Sequence, residues 1–480
     1  MKISVGVGLA AGQRLRRLVL VSLGTAALLV SSGAAASAPE SADPSDGSSP
    51  LVLPGHLAAT AIAAGDYHTC ALTSAGGVRC WGGNGFGQLG DGSTIDRHGP
   101  VAVSGLASGV AAIAAGGEHT CALTSAGGVK CWGLNAHDQL GDGTRPNLGS
   151  PTPVNVRGLT SGVVAIAAGS QHTCALTSAG AVKCWGYNDS GQLGDGTTTD
   201  RNRPVAVSGL ASGVAAIAAR SEHTCALTSA GAVKWWGEND IGELGDGTTT
   251  EHKTPVAVTG LTSGVAAIAA GDAHTCALTS SGGVRCWGWN VAGELGDGTT
   301  TEHDTPVAVS GLASGVAAIA AGGFHTCAFT SSGVAKCWGA NGSGDLGDAT
   351  TTDRLIPADV SGLASGVAAI AAGYSHTCAL TTSGVAKCWG ANHFGQLGDG
   401  TTTDRHTPVE VIGAPPPCIV PNVIDKLLSK AKATIAKANC RVGTVTKKPS
   451  TLKKKGRVLT QKPRAGKTLK NRATVNLTVG

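Results

Sequence analysis

Short apolar runs separated by clusters of Gly, Ser, Asn and Asp fill most of this chain, and they return at a fixed spacing. The pattern A-I-A-A-G-x-x-H-T-C-A-L-T places Cys at 70, 121, 174, 225, 276, 327 and 378, a period of 51 residues except for one interval of 53, where the loop around Arg145 to Thr152 is longer. Each unit holds four β-type runs, V-A-A-I-A-A, H-T-C-A-L-T, V-K-C-W-G and P-V-x-V, with turn residues between them. Four strands per unit make a blade, and units of this length build propellers, solenoids or arrays. Seven blades closed into a ring leave no long unpaired sheet edge, so the pattern predicts an all-β, seven-bladed propeller. Leu51–Leu53 and Val409–Val411 compete for one strand position at the closure.

The hairpin register follows from the same pattern. If Cys70 opposes Cys80, then Leu72 opposes Val78 and Ala71 opposes Arg79, and apolar side chains share a face. Opposed cysteines in such a pair are close enough to bond. The spacing gives Cys70–Cys80, Cys121–Cys131, Cys174–Cys184, Cys276–Cys286, Cys327–Cys337 and Cys378–Cys388. A zinc site using His68, Cys70 and Cys80 is an alternative, although its spacing is not that of common structural zinc sites. Unit four departs from the pattern: Trp235 stands where the second Cys is expected and Arg220 replaces a Gly. Cys225 is left over, as a buried orphan or an intermolecular bridge.

Composition places this fold in an oxidising compartment. The 480 residues include 73 Gly, 15 Cys and 16 aromatics, too few rings for a conventional core and too many cysteines for a reducing cytosol. Lys2, Arg14, Arg16 and Arg17 precede the apolar run Leu18–Val30 and small residues suited to cleavage near Ala36, the pattern of a secretory signal peptide. No later stretch is long enough to span a membrane. Charge is divided sharply along the chain. Residues 418–480 carry 16 Lys and Arg against Asp425 alone, and residues 1–38 carry +4, which leaves 39–417 at −14 within the net +5. A basic domain outside the cell meets anionic envelope polymers rather than nucleic acid.

With H-T-C-A-L-T, C-W-G-x-N and G-Q-L-G-D-G repeated seven times over residues 58–413, the chain resembles the RCC1-repeat family. The resemblance implies a seven-bladed propeller in which the repeated His, Trp, Asn and Gly hold each blade together. Its best-known eukaryotic members promote guanine-nucleotide exchange on a small nuclear GTPase, and plant members sense ultraviolet light. Secreted β-lactamase-inhibitor propellers are the nearer analogy in compartment.

Strand direction alone sorts the loops. The first and third connections of a four-stranded antiparallel blade lie at one end, the second and interblade connections at the other. The second, T-S-A-G-G, and the interblade segment, S-G-L-A-S-G, barely change, whereas the first and third vary. Seven tryptophans belong to the repeat. Of the nine other aromatics, Tyr67, Phe86, Tyr187, Trp289, Phe324, Tyr374 and Phe394 fall in variable connections, and only Trp235 and Phe329 at strand positions. Rings on polar loops at one end of a rigid body suit recognition, because they offer contact area at low entropy cost. Local packing between neighbouring loops is the alternative use of the same rings. The His series from His68 to His376 occurs once per blade and so reads as strand anchoring rather than general-base catalysis. The L-G-D-G aspartates, Asp91 through Asp399, read as turn chemistry rather than calcium ligands. No nucleophile with a base of its own stands apart from the repeat, so no catalytic residue, metal or cofactor is expected.

Beyond Pro415–Pro417, helical spacing over Asp425–Ala438 is followed by β-type runs at Arg441–Thr446, Arg457–Gln461 and Thr474–Val479. Cys418 and Cys440 flank the helix and form a seventh expected disulfide. V-P-N-V at 420–423, Q-K-P-R-A-G at 461–466 and V-N-L-T-V at 475–479 resemble the PASTA module of bacterial penicillin-binding proteins and serine/threonine kinases. That resemblance implies a small α+β domain at the envelope and, in some members, peptidoglycan binding; by charge, Lys453, Lys454, Lys455, Lys467 and Lys470 are the wall contacts. The expected organisation is a signal peptide (1–38), a linker (39–57), the propeller (58–413), a Pro linker (414–417) and the PASTA-like domain (418–480). The expected function is a secreted envelope-associated binding protein: the tail holds peptidoglycan or another anionic polymer and the propeller takes a protein or glycan. Inhibition of an extracellular enzyme by the same face is the alternative, ahead of a wall-active enzyme or an exchange factor.

Overall fold

The computed structural model describes residues 57–144, 147–413, 418–438, 440–450, 455–469 and 474–480, with two short extended pairs at 22–23 and 26–27. Apart from those two pairs, the expected signal peptide lies outside the described residues, as do nearly all of its linker and Leu51–Leu53.

Seven four-stranded antiparallel sheets follow one another at 59–102, 110–155, 163–206, 214–257, 265–308, 316–359 and 367–410, each built from four consecutive strands. In the first blade these are Ala59–Ala64, His68–Thr73, Val78–Gly82 and Arg97–Ala102. The first strand of every blade touches that of the next, and Val367–Ala372 of the seventh touches Ala59–Ala64 of the first, which closes the ring. Val409 lies in the outer strand of the seventh blade opposite Cys388, so that blade is completed by its own chain. Closure repeats the ordinary interblade bond: Ala59 N donates to Gly384 O at 3.0 Å, as Val110 N donates to Gly76 O at 3.0 Å. The longer loop of the second blade extends its outer strand to Asn147–Asn155, with two register shifts.

Cys70 opposes Cys80, Leu72 opposes Val78 and Ala71 opposes Arg79. Disulfides join Cys70–Cys80, Cys121–Cys131, Cys174–Cys184, Cys276–Cys286, Cys327–Cys337 and Cys378–Cys388, with Cα atoms 4.0–4.1 Å apart. Cys225 is free and buried. Both faces of the inner strands are covered, because each blade packs on its neighbour: Ala71, on the face opposite the disulfide, is as buried as Cys70. The protein thus has seven thin interblade cores. In one, the Cys70–Cys80 pair, Leu72 and Val78 of the first blade meet Ile113, Ala122 and Trp132 of the second. In another, Cys378 and Cys388 of the seventh blade meet Ile62, Ala71 and Trp81 of the first. In six of the seven, alanine, one disulfide and one tryptophan fill such a narrow layer, which is how few aromatics suffice.

The C-terminal unit has its own core, in which Val420, Val423, Ala431, Ile435, Val458, Val475 and Leu477 pack together. Its helix runs Leu428–Lys437, starting three residues later than the spacing predicts because Val423–Lys426 forms a turn, with Lys426 N donating to Val423 O at 3.2 Å. Thr474–Val479 is the central strand, parallel to Arg441–Lys447 and antiparallel to Val458–Lys462. Cys418–Ile419 pairs with Thr468–Leu469. Cys440 is disulfide-bonded, while the side chain of its expected partner Cys418 lies outside the described residues.

Candidate recognition face

Two polar devices hold the variable loops. The first is a relay running around the ring. His68 Nε2 lies 2.8 Å from Thr120 Oγ1 of the next blade, and Thr120 Oγ1 donates to Gln88 O at 2.9 Å. The threonine hydroxyl is used as a donor, so the imidazole proton must sit on Nε2. Trp132 Nε1 donates to the same Gln88 carbonyl at 2.8 Å, which fastens the third connection of one blade onto the next. Burial lowers these imidazoles to about 3, or about 4 for His119, so they stay neutral and act as anchors rather than bases. The cysteines of the zinc alternative are bonded to each other and its histidine to threonine.

The second device fixes the third connection itself. Asn84 Nδ2 donates to Ser93 O and Ile95 O at 3.1 and 3.0 Å, and Asn84 Oδ1 accepts from Leu89 N at 2.9 Å. Asp91 accepts from Ser93 N and Oγ and pairs with Arg97 at 2.7 Å. Asp195, Asp348 and Asp399 repeat that pairing with Arg201, Arg354 and Arg405. These carboxylates close turns. First and third connections are also bonded to each other, as in Gly83 N to Tyr67 O at 2.8 Å and Glu238 N to Glu222 O at 3.0 Å.

On this base four of the seven loop aromatics form one arc across the sixth, seventh and first blades. Ring centroids are 5.5 Å apart for Phe324–Tyr374, 6.1 Å for Tyr374–Tyr67 and 5.3 Å for Tyr67–Phe394. Tyr67 and Phe394 are exposed, Phe324 and Tyr374 half-buried. The other three stand apart. Tyr187 packs edge-on against His137 at 4.6 Å and donates to Asp189 Oδ2 at 3.1 Å, which is the local-packing use of such a ring. Phe86 is exposed and Trp289 half-buried. In the C-terminal unit Lys455 and Lys467 are exposed, and Lys453, Lys454 and Lys470 lie outside the described residues.

At the axial end of the arc lies a cluster the repeat pattern gave no role. Arg220, 4% exposed, reaches from the fourth blade to three others. Its Nε donates to Asp272 Oδ1 at 2.7 Å, Nη2 to Asp66 Oδ1 at 3.3 Å and Nη1 to the Ala372 carbonyl at 3.3 Å. Burial pushes the Asp66 carboxyl up to about 6 against the pull of Arg220, with Asp272 and Glu118 adding to the rise. The signal was an arginine in a column otherwise held by glycine.

That glycine column has a steric reason. A Cβ added at Gly169 or Gly271 would fall on the ring of His172 or His274, far inside contact distance. Arg220 occupies the equivalent position in the fourth blade, and there the relay breaks: His223 has no hydrogen-bond partner for either ring nitrogen among the described residues. Its ring lies 5.0 Å from that of Trp235, which fills the space a disulfide takes elsewhere and meets Trp287 edge-on at 6.4 Å. The three irregularities of the fourth blade are thus a single rearrangement.

Fold and face together define a scaffold that presents variable loops on a stapled ring. The sequence matches the RCC1-like domain over residues 31–316 and 161–444 and the PASTA domain over 419–480. The chain belongs to the RCC1-like family and carries a C-terminal PASTA domain. It is 34% identical over 355 residues to the ultraviolet-B receptor UVR8 of Arabidopsis thaliana, covering 72% of this chain and 80% of that protein. It is 36% identical over 281 residues to the human E3 ubiquitin-protein ligase HERC2, covering 57% of this chain but 6% of HERC2. The solved structure of human WBSCR16 superposes with a TM-score of 0.60 at 25% identity, over 67% of this chain and 85% of that one. An RCC1-like propeller joined to a PASTA domain supports a binding and recognition role. Disulfides and a PASTA domain fit an extracellular or envelope location, and no described helix is long and apolar enough to cross a membrane.

Proposed function

We propose that this is a secreted, envelope-associated binding protein whose PASTA domain retains it on peptidoglycan while the variable end of the propeller captures a protein. The observation that carries this reading is the asymmetry of the ring. Nearly fixed loops sit at one end, and at the other variable loops bring Phe324, Tyr374, Tyr67 and Phe394 into one aromatic arc. Large rings held by a rigid frame lose little entropy on binding. The 16 Lys and Arg of residues 418–480 favour an anionic polymer as the tail's ligand. A sedimentation assay with purified peptidoglycan tests retention: the full chain should pellet with the wall material and a chain ending at Pro417 should stay in solution. Equal retention removes the tail from the reading, and capture undiminished by alanine at the four arc positions removes the face.

A further inference from the structure

We infer that the arc takes a cationic polypeptide segment, an arginine- or lysine-bearing strand of another protein; this rests on the variable end being the recognition face. Charge carries the argument. The seven first connections (66–67, 117–118, 170–171, 221–222, 272–273, 323–324, 374–375) and the six residues after each W-G (83–88, 134–139, 187–192, 238–243, 289–294, 340–345, 391–396) contain eleven Asp and Glu and no Lys or Arg, and Glu118, Asp189, Glu222, Glu238 and Asp240 among them are accessible with no ion pair among the described residues. Arg220, the cation at the axial end of these loops, is buried and already shared between Asp66 and Asp272, and Lys253, Arg201 and Arg203 come from the outer strands beside the second and third blades' loops, away from the arc.

The two chemistries adjoin. Beside the Asp66–Arg220–Asp272 cluster, Tyr67 also lies within the field of Glu118, a half-buried carboxylate of the second blade with no ion pair among the described residues. On the fourth blade burial and then Glu222, Glu243, Asp240 and Glu251 push the Glu238 carboxyl up to about 7, so Glu238 is repelled by the carboxylates around it. A guanidinium satisfies both halves, stacking on Tyr or Phe while it pairs with a carboxylate. An anionic wall polymer is repelled here, so the two ends of the chain have different ligands.

Fluorescence anisotropy with the full chain and three labelled peptides, alternating Leu with Arg, Ser or Glu, tests this. The Arg peptide should bind about tenfold or more tighter than the Ser peptide, and the Glu peptide weakest. Affinity for the Arg peptide should fall about tenfold in Tyr67→Ala/Tyr374→Ala and in Glu222→Gln/Glu238→Gln. It should hold in Tyr67→Phe/Tyr374→Phe, and in Asp359→Asn/Glu410→Gln, which removes the same charge from outer strands. Loss in the alanine pair without loss in the glutamine pair keeps the face and overturns the cationic partner. Equal loss in the outer-strand pair means diffuse charge and also overturns it. Indifference to every variant sinks the face as well. If sedimentation of the free chain shows concentration-dependent association lost on truncation at Pro417, the occupant is the basic tail of a second copy, and the foreign partner is overturned.

Discussion

His376 Nε2 of the last blade lies 2.9 Å from Thr69 Oγ1 of the first, and Thr69 in turn donates to the Gln396 carbonyl at 2.8 Å. This pair joins the two ends of the ring with the same bond that joins its neighbours. It is buried, so removing the hydroxyl strands the imidazole N–H. Thr69→Val should destabilise by about 1–3 kcal/mol. Thr275→Val, at the break in the relay, should cost measurably less, since His223 gives it no bond. Urea unfolding midpoints of the two variants test the relay, and equal losses would show that the His–Thr bonds contribute nothing.

The same histidines set the acid limit. Six of the seven titrate near 3 in the folded chain and His119 near 4, against 6.5 for the free side chain. Below 6.5 the unfolded chain therefore binds more protons, and stability falls as pH drops from 6.5 towards 3. Asp66, near 6, and Glu238 and Asp345, near 7, act in the opposite sense as pH falls from 7 to 4. Glu118, Glu222, Glu243 and Glu294, also raised by burial, act with these three, and together they offset part of the effect of the seven histidines. The melting temperature should decline progressively below pH 6, and a flat profile down to pH 4 would contradict the buried neutral imidazoles.

Arg220 is an unreplaceable partner as the fold stands. Arg220→Ala leaves Asp66 and Asp272 facing each other beside Glu118 and should cost about 3–5 kcal/mol. Arg220→Gly with Asp66→Asn and Asp272→Asn restores the glycine of the repeat and removes the stranded charges. It should recover most of that loss. Chemical denaturation of both variants decides the matter; equal stability of the triple and single variants would assign the cost to lost packing instead.

Much of this was legible in the sequence because each blade is written out in full. The 51-residue spacing gives the strands, the C-x9-C spacing gives opposed cysteines, and strand direction sorts variable from fixed loops. The burial of Ala71 was not legible, because it comes from the neighbouring blade rather than from its own sheet. Nor was the selection of four aromatics from seven: Phe394 and Tyr67 stand at opposite ends of the propeller sequence and meet only when the ring closes. Arg220 was visible as an exception, but its reach to three other blades depends on how they converge on the axis. In the tail, charge marked five lysines, and the structure describes Lys455 and Lys467 alone among them.

The fourth blade offers a direct test of the staple. Cys225 and Trp235 are paired in the register that Cys174 and Cys184 hold in the third blade. Trp235→Cys should therefore close a seventh blade disulfide. Burial raises the Cys225 thiol well above its usual value, so the native parent should resist alkylation and yield one thiol only after unfolding. The variant should yield none and lose the mass of two hydrogens. Closing so short a loop contributes about 2–3 kcal/mol. Trp235 also packs on His223 and Trp287, and its removal opens a cavity that works against that gain. Adding Arg220→Gly with Asp66→Asn and Asp272→Asn lets His223 return to the pose of its counterparts and bond Thr275 without stranding the two carboxylates. That combined variant should exceed Trp235→Cys alone in stability, and identical melting curves would separate the arginine from the tryptophan as causes of the broken relay.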